Sequence, residues 1–417
     1  MEKSPYTPGA GHMPPVLVAR EAQLSRWLGM LAEVEQRGRK RAVDTIVVGP
    51  RGVGKTVLLE AMSEQARAMG HEVVAMQAAR GTETLMPYLF REIKRRAEDE
   101  APFRAAWRRL ESLSVGLFGV SVGGSRAVQD DSPADLTGMD LAAALADLAR
   151  AVRADRERGG LLLTIDEMQV AGHRDLALLA ATLGRLNTEH PDAPVLFGGA
   201  GLLNVRQHLR DAGVTHPDRL FRLTELPTRF SRDETTAAVM TPALELGVHW
   251  QADAVAAVYG VSGGYPAHVQ LYAHAIWQHA AGPGITVEDA RAAISQASDE
   301  VALSTLGPDW DDLTDREREY AAAVSVLGGR ALTRDVAAVL RQQPGSISRL
   351  DGGLVRKGFV YRPTRGVVEL TMPLQRPYIL QVYEESRVLA SVALAPLAEL
   401  AARATEVAPG SPQLRER

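Results

Sequence analysis

Eight residues near the start of the chain, Gly49-Pro50-Arg51-Gly52-Val53-Gly54-Lys55-Thr56, fit the spacing G-x-x-x-x-G-K-[ST] at every fixed position. The chemistry that needs this spacing is the holding of a nucleoside triphosphate. Glycines let the backbone wrap closely enough to aim successive N–H groups at phosphate oxygens. A helix starting at the end of the loop adds the partial positive charge of its N-terminus. Lys55 is placed to reach the β- and γ-phosphates, and the Thr56 hydroxyl to ligate Mg²⁺. The lysine stands out in its composition, since the chain has only Lys3, Lys40, Lys55, Lys94 and Lys357 against abundant arginine. Residues Gly49 to Val57 are thus the expected phosphate contacts.

A phosphate loop needs an acidic anchor at the end of another buried strand, and "GGLLLTIDEMQ" supplies one. Leu161 to Ile165 is a continuous apolar run, followed by Asp166 and Glu167. Asp166 is expected to hold Mg²⁺, directly or through water, and Glu167 to polarise the attacking water.

The elements that position these residues can be read from their periodicity. Ile46-Val47-Val48 is a β-branched run before the loop, and Thr56 to Met62 has helical spacing after it. His71 to Met76 fits a further strand between Lys55 and Asp166, with helical stretches near 83–112 and 139–156. Later strands fit Val195-Leu196-Phe197 and Arg219 to Leu223. Strands alternating with helices indicate an α/β doubly wound parallel sheet, with nucleotide at the carboxyl ends of its strands. Residues 113–138, with alternating Val, Leu, Phe and small side chains, read as a β-hairpin or long loop inserted into this core.

The bulk properties bound the class. At 417 residues two or three domains are expected, and 46% apolar with 24% charged residues is ordinary for a globular protein. A net charge of -4 argues against a protein coated in positive charge for nucleic acid, though not against a local basic patch. The absence of cysteine excludes disulfides and thiolate metal sites and makes the cytosol the natural compartment. The start, MEKSPYTPGAGHMPP, has no apolar core of a secretory signal. Residues 388–404 are the most apolar long stretch, broken by Pro396, Glu399 and Arg403, and read as an amphipathic helix, not a membrane span.

With these pieces in order, the chain resembles P-loop ATPases of the STAND and AAA+ group, in particular bacterial relatives of the archaeal origin-recognition-like ATPases. The resemblance spans most of residues 15 to 375. It rests on "VLVAREAQLSRW", the phosphate loop, "LLLTIDEMQ", "RLFRLTELPTRFSRDET" and "SGGYPAHVQLYAHAIW". In the first of these, Arg20 and Glu21 are kept while Ala19 stands where the group has glycine; the resemblance puts Arg20 beside adenine. In the last, Gly264 and Pro266 match the G-x-P motif of STAND lids, where the proline packs on the adenine side. No arginine follows Pro266 to sense the γ-phosphate. Gly198, Gly199 and Ala200 stand where the fourth strand often carries a polar sensor of the attacking water. The resemblance therefore implies a switch that turns ATP over slowly, and any arginine finger would be Arg219 or Arg222. ATP is favoured over GTP because no N-K-x-D signature is present.

The C-terminal half has its own pattern. Ser231-Arg232-Asp233-Glu234 and Thr314 with Glu317 are capping boxes. Helices from Thr314, Thr333 and Pro344, then "FVYRPTRGVVELTMP" as two strands with a Pro-Thr-Arg-Gly turn, make a winged helix. Residues 331–376 carry eight basic side chains against three acidic ones, with Arg362 and Arg365 where a wing tip could touch phosphates. Against DNA contact, Gly352-Gly353 interrupt the recognition helix. The expected organisation is an N-terminal extension (1–15), ATPase core (16–230), helical lid (231–305), winged helix (306–375) and a C-terminal helical segment and tail (376–417).

The expected function is an ATP-binding, slowly hydrolysing regulatory switch ATPase using ATP and Mg²⁺. ADP is its product, and a homo-oligomer or protein effector its partner, with no membrane. The alternative is a DNA-binding initiator or transposition-type ATPase acting through its winged helix. A small-molecule kinase would need an acceptor pocket that the sequence does not offer.

Overall fold

The computed structural model describes residues 3–9, 11–40, 43–79, 85–104, 108 and 133–407. Its contacts divide the chain into two compact units. One, here the sheet unit, is Ala19–Gly49 with Gly54–Leu226; the other, the helical unit, is Met1–Val18, Pro50–Val53 and Pro227–Arg417.

The sheet unit runs α1 (Glu21–Arg37), β1 (Asp44–Val48), α2 (Lys55–Ala68), β2 (Glu72–Gln77), α3 (Leu85–Asp99), α4 (Pro133–Arg156), β3 (Leu161–Asp166). It continues with α5 (His173–Glu189), β4 (Val195–Gly201), α6 (Val205–Asp211), α7 (Pro217–Leu220) and β5 (Phe221–Glu225). The five strands lie in the order β2-β3-β4-β1-β5, and every pairing is parallel. Strands β1, β3 and β4 are buried along their whole length, as expected for parallel strands covered on both faces. Leu145, Leu148 and Val152 of α4 join Leu176, Leu179 and Leu183 of α5 and Phe197 of β4 in one apolar core. All five strands run the same way, so the loops after β1, β3 and β4 leave from one edge of the sheet.

Three expectations change here. The fourth strand does not end at Phe197 but continues to Gly201, so Gly198, Gly199 and Ala200 lie within it and not at its end. Arg219 is in α7, because Pro217 sets the first turn of a short helix; the fifth strand starts only at Phe221, leaving Arg222 exposed on it. Of the expected insertion 113–138, residues 113–132 lie outside the described residues, while 133–138 are the first turns of α4 and not a hairpin or loop.

The helical unit contains α8 (Arg232–Glu245), β6 (His249–Trp250), α9 (Ala252–Ser262), α10 (Pro266–His279), β7 (Gly284–Ile285) and α11 (Val287–Val301). Ser231 and Glu234 form the capping box of α8, with Glu234 N donating to Ser231 Oγ at 3.2 Å and Ser231 N to Glu234 Oε2 at 2.6 Å. Residues 3–9 belong to this packing. Tyr6 is buried, its hydroxyl donates to the Val239 carbonyl at 2.6 Å, and its ring meets Trp250 and Trp277 edge-on at 6.0 and 5.8 Å.

Beyond a π-helical turn at Ala302–Leu306 come α12 (Gly307–Asp311), α13 (Asp315–Val326), β8 (Arg330–Leu332), α14 (Thr333–Val339) and α15 (Pro344–Lys357). Then follow β9 (Val360–Tyr361), β10 (Val367–Leu370), α16 (Gln375–Val388) and α17 (Leu397–Val407). Strands β8, β10 and β9 form a three-stranded antiparallel sheet in that order. The Thr314–Glu317 box caps α13. A Cβ at Gly353 would stand 2.5 Å from Glu317 Oε1, so glycine lets α15 run close beside α13. That contact explains a residue costing about 1 kcal/mol relative to alanine in a helix.

Residues 388–404 are not one helix. Residues 389–396 are non-helical, and α17 starts after Pro396. The intervening backbone bonds to carboxylates of α13: Ser391 N to Asp315 Oδ2 at 3.0 Å and Ala395 N to Glu319 Oε1 at 2.9 Å. These carboxylates satisfy N–H groups that the non-helical stretch before Pro396 leaves without intrahelical partners. Among the described residues no helix is long and apolar enough to cross a membrane.

Candidate functional site

In the sheet unit the site starts where α2 begins. Gly54, at the cap of α2, has φ 87°, a left-handed value that glycine adopts without steric cost. Lys55 is the first helical residue and is buried. Thr56 follows, and its hydroxyl donates to Asp166 Oδ2 at 2.6 Å. Asp166 closes β3 and is buried. The loop's first residue is tied to β4, with Gly49 N donating to Gly201 O at 3.2 Å.

Glu167 follows Asp166 with φ 55°, a left-handed conformation that costs a non-glycine residue about 1 kcal/mol or more. Its N–H donates to Asp166 Oδ1 at 2.7 Å. A 3₁₀ turn over Met168–Val170 then carries Gln169 back, so that Gln169 Nε2 donates to Glu167 Oε2. The other end of that amide, Oε1, accepts from Leu202 N at 3.0 Å, just past the end of β4.

The β4 glycines make this turn possible. A Cβ at Gly199 would lie 2.4 Å from Met168 Sδ, and one at Gly201 would lie 2.9 Å from Gln169 Oε1 and 2.4 Å from Val205 Cγ2. A strand that lacks a polar sensor thus leaves room for the turn after β3. Asn204 stands at the start of α6, and its Oδ1 is buried without a hydrogen-bond partner.

In the helical unit, Pro50–Val53 are held by the segment before and into α10. Tyr265 donates its hydroxyl to the Arg51 carbonyl, and Ala267 N donates to the Gly52 carbonyl at 3.1 Å. In a trans peptide the N–H points opposite the C=O. With these two carbonyls engaged, the N–H groups of Gly52 and Val53 face away from Tyr265 and Ala267. Gly52 has φ 74°, and a Cβ there would lie 2.9 Å from the Tyr265 ring. The Arg51 guanidinium is 3.6 Å from Asp309 Oδ1, and burial raises the Asp309 carboxyl while Arg51 opposes that rise.

Gly264 and Pro266 flank Tyr265. Gly264 has φ 73°, and a Cβ would meet the Phe230 carbonyl at 2.1 Å, so only glycine fits. Pro266 opens α10 and is buried. His268, one turn on, meets the Tyr265 ring at a tilt, centroids 4.9 Å apart, and burial, with Arg229 nearby, pushes its imidazole down to about 4. Arg20 belongs to the sheet unit, buried at the cap of α1 with its Nη1 on the Ala19 carbonyl at 2.7 Å. Ala19 itself has φ 58°, the conformation that explains why glycine suits this position.

Thr56, Asp166 and Glu167 are therefore joined by hydrogen bonds, with Lys55 adjacent in the chain. Gly264 and Pro266 have local structural roles that account for their residue types, and Arg20 lies buried at the cap of α1. Sequence reasoning did not single out Gln169 or Tyr265. The first acts across a strand gap and the second through backbone carbonyls, and neither leaves a spacing signature.

The donor set fits Mg²⁺. A hydroxyl and a carboxylate converge from two elements, and both are hard oxygen donors. Among the described residues no cluster of three or more His, Cys, Asp or Glu could hold a metal by protein ligands alone. Such a pair suits an ion that completes its shell with phosphate oxygens and water.

Residues 16–197 match the AAA ATPase domain family, and residues 304–379 match a domain family of unknown function. The fold is similar to that of a Walker-type ATPase of Pyrococcus abyssi, with TM-score 0.56 and 16% identity over 87% of this chain and 96% of that one. It is also similar to the ORC2 protein of Aeropyrum pernix, solved in ADPNP–ADP complexes. There the TM-score is 0.51 and the identity 15%, over 91% of this chain and 98% of that one. At such identities the likeness speaks for the fold alone. No curated protein matches the chain.

Proposed function

We propose that this chain, which carries a P-loop ATPase domain of the AAA group over residues 16–197, works as an ATP-controlled switch with slow turnover. The observation that carries the nucleotide chemistry is the Thr56 hydroxyl on Asp166 Oδ2 at 2.6 Å, next to the buried Lys55. Lys55 and the loop's backbone N–H groups from Gly52 to Val57 bind the phosphates. Thr56 and Asp166 hold Mg²⁺, which when bound neutralises charge on the phosphate oxygens. Glu167 takes a proton from water as the water oxygen bonds the γ-phosphorus. The bond from that phosphorus to the bridging oxygen breaks, leaving ADP and inorganic phosphate. Within the sheet unit, Arg20 contacts the adenine.

The switch reading is supported inside the helical unit by the hydrogen bonds from Tyr265 and Ala267 to the carbonyls of Arg51 and Gly52. A backbone adjustment of Arg51–Gly52 on phosphate binding is then felt directly at the start of α10. Residues 231–305 serve as the lid, and α13–α15 with the β8-β10-β9 sheet as a winged helix.

Docking on protein is favoured over DNA for that winged helix, because much of its positive charge is used internally. Arg362 bonds Asp351 through Nε at 2.9 Å and also through Nη2; Lys357 bonds Glu317 at 2.8 Å; Arg376 donates to the Ser325 carbonyl at 3.0 Å. The DNA reading keeps one specific support, the exposed Arg365 in the turn between β9 and β10. Calorimetric titration of ATP with Mg²⁺ tests the core of the proposal. Wild type binds and Lys55→Ala does not; equal affinity in the variant would end the phosphate-loop reading.

A further inference from the structure

The Gln169 side chain has two partners, and together they fix its orientation. Nε2 donates to the Glu167 carboxylate, and Oε1 accepts from Leu202 N at 3.0 Å. A carboxylate only accepts and a backbone N–H only donates, so flipping the amide would lose both bonds. Space for this arrangement comes from β4, where side chains at Gly199 and Gly201 would collide with Met168 and Gln169. Glu167 meanwhile keeps an unfavourable left-handed φ of 55°, so the turn is held against a local cost.

We infer that Gln169 is a positioning residue for hydrolysis. It occupies one carboxylate oxygen of Glu167, leaving the other to accept the proton of water, and it ties that orientation to the end of β4 through Leu202. The inference rests on the ATPase reading, in which Glu167 is the base. It assigns to a side chain from the turn after β3 the polar function that Gly198, Gly199 and Ala200 do not supply. Because the same strand end accepts Gly49 N at Gly201 O, a shift at the start of the phosphate loop reaches Glu167 through that one backbone bond, the Leu202 N–H and the Gln169 amide.

The test is steady-state ATP hydrolysis with nucleotide affinity measured in parallel. Gln169→Leu keeps the bulk and removes both bonds. One hydrogen bond to a charged group corresponds to a loss of roughly 10-fold to 100-fold in kcat, with KM and ATP affinity unchanged. Added to Glu167→Gln, Gln169→Leu has no further effect, because both act on one proton transfer.

Gln169→Glu supplies a readout that packing alone would not move, and keeps the inference testable if the leucine variant fails to fold. Its new carboxylate opposes that of Glu167 near neutrality. As pH falls it takes up a proton and can donate again, so activity relative to wild type rises with acidity. Wild-type kcat in Gln169→Leu, or a pH-independent ratio for Gln169→Glu, would overturn the inference while Glu167→Gln is still impaired. Wild-type turnover in Glu167→Gln would instead overturn the reading on which it rests.

Discussion

Adding one methyl group at Gly199 tests the packing that supports the acidic turn. Its Cβ would approach Met168 Sδ to 2.4 Å, Ile46 Cγ1 to 3.1 Å and Phe197 Cε1 to 3.3 Å, and all three side chains are fully buried. None has solvent to move into. Overpacking of this kind costs about 1–3 kcal/mol. Gly198 is the internal control, because its nearest contact would be Leu59 Cδ1 at 3.4 Å, ordinary van der Waals distance. Gly198→Ala is therefore expected to cost well under about 1 kcal/mol, consistent with its strand position. Met168→Ala alone opens a cavity costing about 2–5 kcal/mol. Combined with Gly199→Ala the new methyl enters that space, so the double variant loses about 1 kcal/mol or more less than the sum. Urea denaturation followed by circular dichroism measures all four proteins. Turnover should follow the same order, since Met168 lies between Glu167 and Gln169. Equal costs at Gly198 and Gly199, or strict additivity with Met168→Ala, would refute the packing argument.

Three further outcomes are expected. Tyr6→Ala removes a buried ring that bridges Trp250 and Trp277, at about 3–5 kcal/mol, and calorimetric scanning should show a lower Tm; an unchanged Tm would mean that residues 3–9 contribute nothing. His71 and His268 have their imidazoles lowered from 6.5 to about 4, chiefly by burial. The unfolded chain then binds more protons below pH 6.5. Stability is thus full above that pH and declines towards pH 4 by up to about 3 kcal/mol for each group. Urea midpoints across pH 7.5 to 4.5 check this, with His71→Phe flattening part of the decline. Finally, labelled duplex DNA should bind weakly and without ATP dependence, and reversing two exposed charges, Arg349 of α15 and Arg365 of the β9–β10 turn, in the Arg349→Glu/Arg365→Glu pair should change little. Tight binding whose salt slope falls by about 1.8 in that pair would make the module of α13–α15 and the β8-β10-β9 sheet a DNA reader.

The sequence made the parallel sheet and its phosphate loop legible because buried parallel strands are short apolar runs and the loop has fixed spacing. Ile46 to Val48 and Leu161 to Ile165 are strands where periodicity put them. The capping boxes at Ser231 and Thr314 also formed, since their bonds are local. What escaped was non-local. Gly198, Gly199 and Ala200 look like an empty sensor until the turn from β3 is seen against Gly199 and Gly201. Tyr265 acts on carbonyls, which carry no residue signature. Arg362 looked available for phosphate, but Asp351 lies 11 residues back on the facing helix and takes it. Apolar content suggested a helix over 388–404 because acceptors on α13 cannot be read from that segment.

The central claim is that ATP held by Lys55, Thr56 and Asp166 is hydrolysed by water activated at Glu167. Its most direct test is single-turnover hydrolysis of ATP with Mg²⁺ by wild type and Glu167→Gln at saturating protein, with bound nucleotide quantified in the same samples. The account predicts equal occupancy, slow hydrolysis in wild type, and a rate lower by roughly 10²-fold or more in Glu167→Gln, with ATP remaining bound. Equal rates in the two proteins at equal occupancy would contradict it.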